Sequence, residues 1–356
     1  MRRLILAVLA SCASAPLLAQ AAPSPAKPAQ ANAPFVRAEA HAAVEELAKQ
    51  LEERFVFPDA AKAYAARLRS QLAAGAYSNF ASAKAFAEAV TADLQAVHKD
   101  GHLKMGLVPK DAPAGAPGKK GPPPGFKFIS KAGWIADGVA YIRFEAFPGN
   151  EETLAELRSF IDSHKQAKSL IIDLRGNHGG GLAEMDVLFP AIFDKPATLV
   201  MMDTRIAAEK GSEDDEPEPT LKELPGPEGV VRRAHTVTPA AKRGSLATAK
   251  VYVLTSKQTV SAGEHFSLSL KRTRRATLIG ETTRGAGHYG GVVKLGDTGY
   301  AAFIPVGRTF DPDTGEGWEG TGVKPDIAVP ADKALDEALK LAGVEKSGEV
   351  ALAQLK

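Results

Sequence analysis

The chain has 356 residues, 44% of them hydrophobic, and carries 44 Lys and Arg against 42 Asp and Glu. That near balance excludes a general electrostatic footprint for nucleic acid or an anionic membrane surface. Its one cysteine, Cys12, lies in a leader segment, so the mature chain is expected to have no disulfide framework, thiol catalysis or cysteine metal site.

Residues 1–21 read as that leader, a secretory signal. "MRRLILAVLASCASAPLLAQAAPS" starts with two arginines, continues as an apolar stretch free of acidic residues and reaches the small-x-small site Ala19-Gln20-Ala21. Export to a periplasmic or secreted location, with cleavage after Ala21, is therefore expected. Ser, Pro and Gln interrupt the stretch, which falls short of the roughly 20 apolar residues that span a bilayer. A lipoprotein reading of the "LASC" ending at Cys12 would leave only eleven residues before the cysteine. About 335 mature residues suggest roughly two domains.

Residues 22–36, rich in Ala and Pro, read as a flexible lead. Residues 37–99 then carry three helical patterns: Val44, Leu47 and Leu51; Tyr64, Leu68 and Leu72; Phe86, Val90, Leu94 and Val97. Each set recurs every three or four residues and so shares a helix face. Pro58 and Gly75 punctuate them, which predicts a small N-terminal helical domain.

After "KDG" the period becomes two, with Leu103, Met105 and Leu107 on one face of a strand and His102 on the other. The Pro/Gly-rich stretch that completes residues 100–133 reads as a linker. Across residues 134–345, "VAYIRF", "SLIIDL", "ATLVMM", "KVYVLT" and "ATLIGE" alternate with helical segments near 151–164, 182–193 and 261–272. Such alternation predicts crossover units and a largely parallel sheet. A charged insertion at 205–248 reads as a surface excursion, "VVKLGDTGYAAFIPV" as a hairpin, and a last helix is expected from near Lys333.

Two strand-to-helix junctions could carry chemistry. "SLIIDLRGNHGGGL" ends in Gly179, Gly180 and Gly181, whose backbone N–H groups suit a developing oxyanion or, with no ligand, simply make a tight turn. P-loop and dinucleotide glycine spacings are absent from it. One crossover later, "TVSAGEHF" places Ser261 at a helix start, where it could cap the helix in an S-x-x-E box with Glu264 or act as a nucleophile favoured by the positive helix end. The stretch keeps only the second glycine of the G-x-S-x-G elbow. A serine nucleophile needs a base, and composition alone leaves His102, His178 and His288 equally eligible. His98 and His102 are four apart, but no third histidine stands at metal-ligand spacing.

"SLIIDLRGNHGGG", "LTSKQTVSAGEHF", "RATLIGETTRGAG" and "GWEGTGVKPDIAV", in this order over about residues 134–330, resemble the C-terminal processing (tail-specific) serine protease family. The resemblance implies an α/β fold: an N-terminal helical bundle followed by a crotonase/ClpP-like spiral core with parallel strands and crossover helices. Ala286 stands where one branch has its lysine base, which excludes a Ser-Lys dyad, and no PDZ domain fits between helices and core. Both features point to the branch similar to the tricorn core and the interphotoreceptor retinoid-binding protein repeats. That likeness implies Ser261 as nucleophile, His102 as base, Glu319 as its support, and an oxyanion hole from the backbone of Gly179 or Gly180 and of Ala262. The tricorn pattern has a serine before its histidine, and here that place is Gly101. Asp173, Arg175 and Glu264 read as structural support.

The implied activity is that of an exported serine endopeptidase or carboxy-terminal processing peptidase, without metal or cofactor. Its partners would be peptides or unfolded protein, with no nucleic acid and no membrane after signal cleavage, and a homo-oligomer is left open. The alternative is a non-catalytic binder of an apolar, retinoid- or lipid-like ligand, which would have no physical reason to retain Ser261, His102 and Glu319 together.

Overall fold

The computed structural model describes residues 33–109, 123, 125–209, 219–241 and 244–356. The expected signal segment, most of the lead, the middle of the Pro/Gly-rich linker and residues 210–218 of the charged insertion lie outside the described residues. Among the described residues no helix is long and apolar enough to cross a membrane.

Three helices come first among the described residues, α1 (Arg37–Arg54), α2 (Pro58–Ala73) and α3 (Ala83–Val97). Pro58 occupies the first turn of α2, where its missing N–H costs nothing, and Ser82 caps α3 by accepting the N–H of Ala85. The predicted stripes face inward: Val44, Leu47, Leu51, Tyr64, Leu68, Phe86, Val90 and Leu94 are buried.

Among the described residues twelve strands follow, with helices between them. They run β1 (Lys104–Leu107), β2 (Ile129–Ala136), β3 (Val139–Phe144), α4 (Glu151–Ser163), β4 (Ser169–Asp173), α5 (Ala183–Ile192) and β5 (Ala197–Arg205). Next come α6 (Ile206–Glu209), β6 (Leu221–Leu224), β7 (Val230–Val237), β8 (Lys250–Thr255), α7 (Ala262–Arg272) and β9 (Thr277–Gly280). The hairpin β10 (His288–Lys294) and β11 (Tyr300–Phe310), then β12 (Ile327–Ala328), α8 (Ala334–Leu341) and α9 (Gly348–Ala353) complete the chain.

One sheet has the order β12-β9-β8-β4-β3-β2 and is parallel except for the β2–β3 pair. Its central strands are apolar on both faces because helices cover both. Ile142, Leu170, Ile172, Val251 and Val253 pack with residues of α4, α5 and α7, while Tyr141, Ile171, Tyr252 and Leu254 pack with Leu335 and Leu339 of α8.

The alternation of strand and helix did not anticipate a second, antiparallel sheet of order β1-β11-β5-β7-β6 with β10 also on β11. "ATLVMM" therefore joins an antiparallel partnership, pairing with β7 and the end of β11. Residues 221–237 of the charged insertion supply β6 and β7. Their apolar residues are too few for a buried strand, and pairing with β5 fixes them instead. The N-terminal helices lie on this sheet: Leu47, Tyr64 and Phe86 share one cluster with Met105, Tyr300 and Ile304.

Candidate active site

Strands β4 and β8 are parallel neighbours, so the loops at their carboxyl ends leave the same edge of the sheet, where open α/β folds place ligands. Side chains stitch these loops together. Ser256 Oγ donates to the Arg175 carbonyl at 2.6 Å, Thr259 Oγ1 donates to the Leu174 carbonyl at 2.8 Å, and the Val260 N–H reaches the Asn177 carbonyl at 3.2 Å. Behind them Arg175 grips Asp173 through Nε at 2.9 Å and Nη2 at 2.6 Å, and the Tyr141 hydroxyl donates to the same carboxylate at 2.7 Å. Burial pushes the Asp173 carboxyl up, but these bonds outweigh it and hold it below the usual range. The pair serves as a brace for the turn.

At the end of the second loop Ser261 has φ 57° and ψ −118°, a conformation that a residue with a Cβ enters only under constraint. Glu264 supplies the constraint. Its Oε2 accepts the N–H of Ser261 at 2.9 Å and of Ala286 at 2.9 Å, while Oε1 accepts the Thr283 hydroxyl and the Gly285 N–H, each at 2.6 Å. One buried carboxylate thus locks the Ser261 turn to the "GETTRGAG" loop. Burial, the dominant cause, raises its pKa against those four bonds. Glu264→Ala is expected to strand four donors and lower stability by about 3–5 kcal/mol; a urea-unfolding midpoint shift equivalent to less than about 1 kcal/mol would contradict this role.

Gly179 and Gly180 both have positive φ, 85° and 137°. A Cβ on Gly179 would lie 2.9 Å from Ser261 Cβ, so the glycine loop sits directly against the serine. The Gly179 N–H is taken by Asn177 Oδ1 at 2.9 Å. Gly180 forms a parallel bridge with Phe147 that uses the Gly179 carbonyl and the Gly181 N–H, so the Gly180 peptide N–H faces the other way. Ala262 opens α7, where the first-turn N–H groups lack helical partners. Gly180 and Ala262 line one cavity with Ser261, and their amides are the pair available to an oxyanion. Asn177, buried and holding this loop, carried no signal in the sequence beyond its place in the glycine run.

The cavity has a volume of about 150 Å³, with Leu182, Met202, Tyr289 and Trp318 among its walls. One histidine among its lining residues is His288, at the start of β10, whose Nδ1 lies 2.7 Å from Asp100 Oδ2. Asp100 is fixed in turn, since its Oδ1 accepts the N–H of His102 at 2.9 Å and of Leu103 at 3.0 Å. Burial would raise the Asp100 carboxyl, but the bond and charge of His288 together with those amides bring it below its usual range. Glu319 clamps the same corner: Oε1 accepts the Gly101 N–H at 2.6 Å, and Oε2 accepts the N–H of Gly287 at 2.6 Å and of His288 at 3.0 Å.

His102 lies at this corner but is not among the residues lining the serine's cavity. Its ring stacks on Phe303 at 5.2 Å, and its Nδ1 is buried with no hydrogen-bond partner among the described residues. Burial first, joined by the charges of His288 and Lys104, lowers its pKa against the raising effect of Glu319 and Asp100. His178 is exposed. Asp100, His288 and Glu319 offer ligand atoms within 4.8 Å of one another, a spacing that could hold a metal ion. Backbone N–H groups already occupy both Glu319 oxygens and Asp100 Oδ1, so hydrogen bonds account for the trio as it stands.

A second histidine, His265 of α7, also borders the cavity and leads away from it. Its Nε2 lies 2.8 Å from His235 Nδ1, and His235 Nε2 lies 3.1 Å from Asp186 Oδ1. Burial first, and the charge of His235 second, hold His265 well below the ordinary imidazole range. An unfolded imidazole titrates near pH ~6.5, so below that the unfolded state takes up a proton that folded His265 refuses, and stability falls with pH by up to about 1.4 kcal/mol per unit. The melting temperature of the parent chain is expected to drop more steeply between pH 7 and 5 than that of His265→Gln. Equal slopes in scanning calorimetry would contradict it.

Comparison with known proteins adds two family matches and a fold. The model of "Peptidase family S41" matches residues 138–329, and that of the "N-terminal domain of Peptidase_S41 in eukaryotic IRBP" matches residues 30–127. Two Staphylococcus epidermidis proteins, each described as a "Probable CtpA-like serine protease", are 28% identical over 197 residues, 55% of this chain and 34% of theirs. The chain thus spans about a third of the length of these curated relatives. Among solved structures, one from Parabacteroides merdae ascribed to a peptidase has a TM-score of 0.54 at 16% identity, covering 88% of this chain and 96% of its own. A lipoprotein from Streptococcus agalactiae has a TM-score of 0.52 at 15% identity, covering 85% and 95%. Both likenesses show the fold, a mixed α/β core behind N-terminal helices.

Proposed function

The chain belongs to peptidase family S41, whose model matches residues 138–329, and from that premise we propose that it is an exported serine peptidase hydrolysing peptide bonds in peptides or unfolded chains. The observation that carries the reading is the strained turn at Ser261, sharing one cavity with the backbone of Gly180 and Ala262 and with an imidazole. Ser261 Oγ attacks the scissile carbonyl carbon and passes its proton to the imidazole. The resulting oxyanion lies between the N–H groups of Gly180 and Ala262, and Gly179 holds the loop against the serine.

In this Ser-His-Glu type of mechanism Glu319 acts on the backbone, tying Gly101 to Gly287 and His288 so that the imidazole corner is assembled before substrate arrives. Pre-assembly matters because dipoles already in place cost no reorganisation at the moment of reaction. Cleavage within chains or near their carboxyl ends are both consistent with a cavity open to a peptide, and the arginine-led leader supports export.

A fluorophosphonate probe tests the reading. Incubation of the purified mature chain is expected to give a stoichiometric adduct that peptide mapping places on Ser261. Absence of labelling, or an adduct on another serine, would refute it.

A further inference from the structure

We infer that the general base of this site is His288, oriented by Asp100, and that His102 is a positioning residue; this rests on the reading of Ser261 as the nucleophile. An imidazole that serves a serine needs one ring nitrogen facing the hydroxyl and the other donating to a carboxylate, which sets the tautomer and stabilises the imidazolium. His288 meets the second requirement, with Nδ1 2.7 Å from Asp100 Oδ2. The side chains are 7% and 0% exposed, so water does not compete for that bond. With Nδ1 committed, Nε2 is the nitrogen left for the cavity that His288 shares with Ser261.

The Ser261 turn and the segment that leads into His288 are also tied through one carboxylate oxygen. Glu264 Oε2 accepts both the Ser261 N–H and the Ala286 N–H at 2.9 Å, and Ala286 stands two residues before His288. The His288 ring is buttressed edge-on by Phe57, with centroids 5.4 Å apart, and its own N–H is held by Glu319 at 3.0 Å. His102 lacks this support. Its Nδ1 has no partner among the described residues, its ring lies flat on Phe303, and it is not among the residues lining the serine's cavity. What His102 does contribute is its backbone N–H, which fixes Asp100 at 2.9 Å.

The chemistry closes on these groups. The Ser261 Oγ proton moves to His288 Nε2 as the Oγ–C bond forms; the imidazolium then gives that proton to the leaving amide nitrogen as the C–N bond breaks. Water attacks the acyl-enzyme with its proton passing to Nε2, and the return of that proton to Oγ frees the carboxylic acid. Asp100 keeps its charge throughout and accepts from Nδ1–H.

Two measurements decide the assignment. A peptidyl chloromethyl ketone, which binds at the serine and alkylates the neighbouring base, is applied to the unaltered protein and the adduct mapped by mass spectrometry. Alkylation of His288 is expected, and alkylation of His102 would overturn the inference. In parallel, His288→Gln is expected to lower kcat by about 10³-fold or more, Asp100→Asn by about 10³- to 10⁴-fold with an altered acid limb of the pH profile, and His102→Gln by no more than about 10-fold. The reverse ranking would also overturn it. Failure of Ser261 to react with fluorophosphonate would instead remove the underlying peptidase reading, so the two failures are distinguishable.

Discussion

Ser261→Ala is expected to lower kcat for peptide hydrolysis by about 10⁴- to 10⁶-fold while KM changes by only a few-fold. The proposed oxyanion amides of Gly180 and Ala262 and the cavity beside Ser261 do not depend on the hydroxyl, so binding is expected to survive and only the covalent route to be lost. Because serine and base act as a unit, adding His288→Gln to Ser261→Ala is expected to cost almost nothing further. Stability is expected to stay within about 0.5 kcal/mol, since alanine keeps the Cβ and Glu264 still holds the residue 261 backbone N–H. Ser261→Gly, equally inactive, removes the Cβ that makes φ 57° unfavourable and is expected to be more stable than Ser261→Ala by about 1 kcal/mol. Fluorogenic-peptide kinetics and thermal unfolding on the three proteins check both halves. Turnover in Ser261→Ala above about one part in a hundred would place the nucleophile elsewhere.

The second large effect is expected at Gly180. A Cβ there would stand 1.9 Å from the Phe147 carbonyl oxygen and 2.6 Å from its carbon, backbone against backbone, at φ 137°. No side-chain rotation relieves such a contact, so Gly180→Ala must swing the loop away. That breaks the bond from Phe147 N–H to the Gly179 carbonyl and the bond from Gly181 N–H to the Phe147 carbonyl, both 2.8 Å. With them goes the position of the Gly180 amide. Loss of one oxyanion donor lowers kcat by roughly 10²- to 10³-fold, and the strain is expected to lower stability by about 2–4 kcal/mol. Gly181→Ala is the matched control, because its Cβ would meet nothing within 4 Å. It is expected to fold and turn over like the parent. Equal activity of the two variants, measured by active-site titration and kcat, would show that this loop does not hold the oxyanion.

The local patterns carried a large part of the fold. Spacings of three and four residues placed α1, α2 and α3, and the uninterrupted apolar runs "LII" and "VYVL" marked β4 and β8 as strands covered on both faces, as the two helix layers require. Where pairing rather than side-chain pattern decides, the signal failed. "ATLVMM" reads like its parallel neighbours yet lies in the antiparallel sheet, and β6 and β7 emerged from a stretch whose charges suggested a surface excursion. Strand partnership is a long-range choice that composition of the strand itself does not encode.

The sequence by itself determined the ingredients of the site: a serine at a helix start, glycines at a strand end, a glutamate three residues after the serine and three eligible histidines. Those assignments follow from short-range chemistry, namely which residues tolerate a turn, cap a helix or expose backbone amides. Only the tertiary structure decided which histidine meets an oriented carboxylate. Asp100 and His288 are 188 residues apart and their partnership arises because β11 carries both β1 and β10. Asp100 in "KDG" carried no signal of a role, and nothing near His288 in sequence announced its partner. A hydrogen bond across that separation is a product of sheet topology, and topology is fixed by the packing of the whole chain.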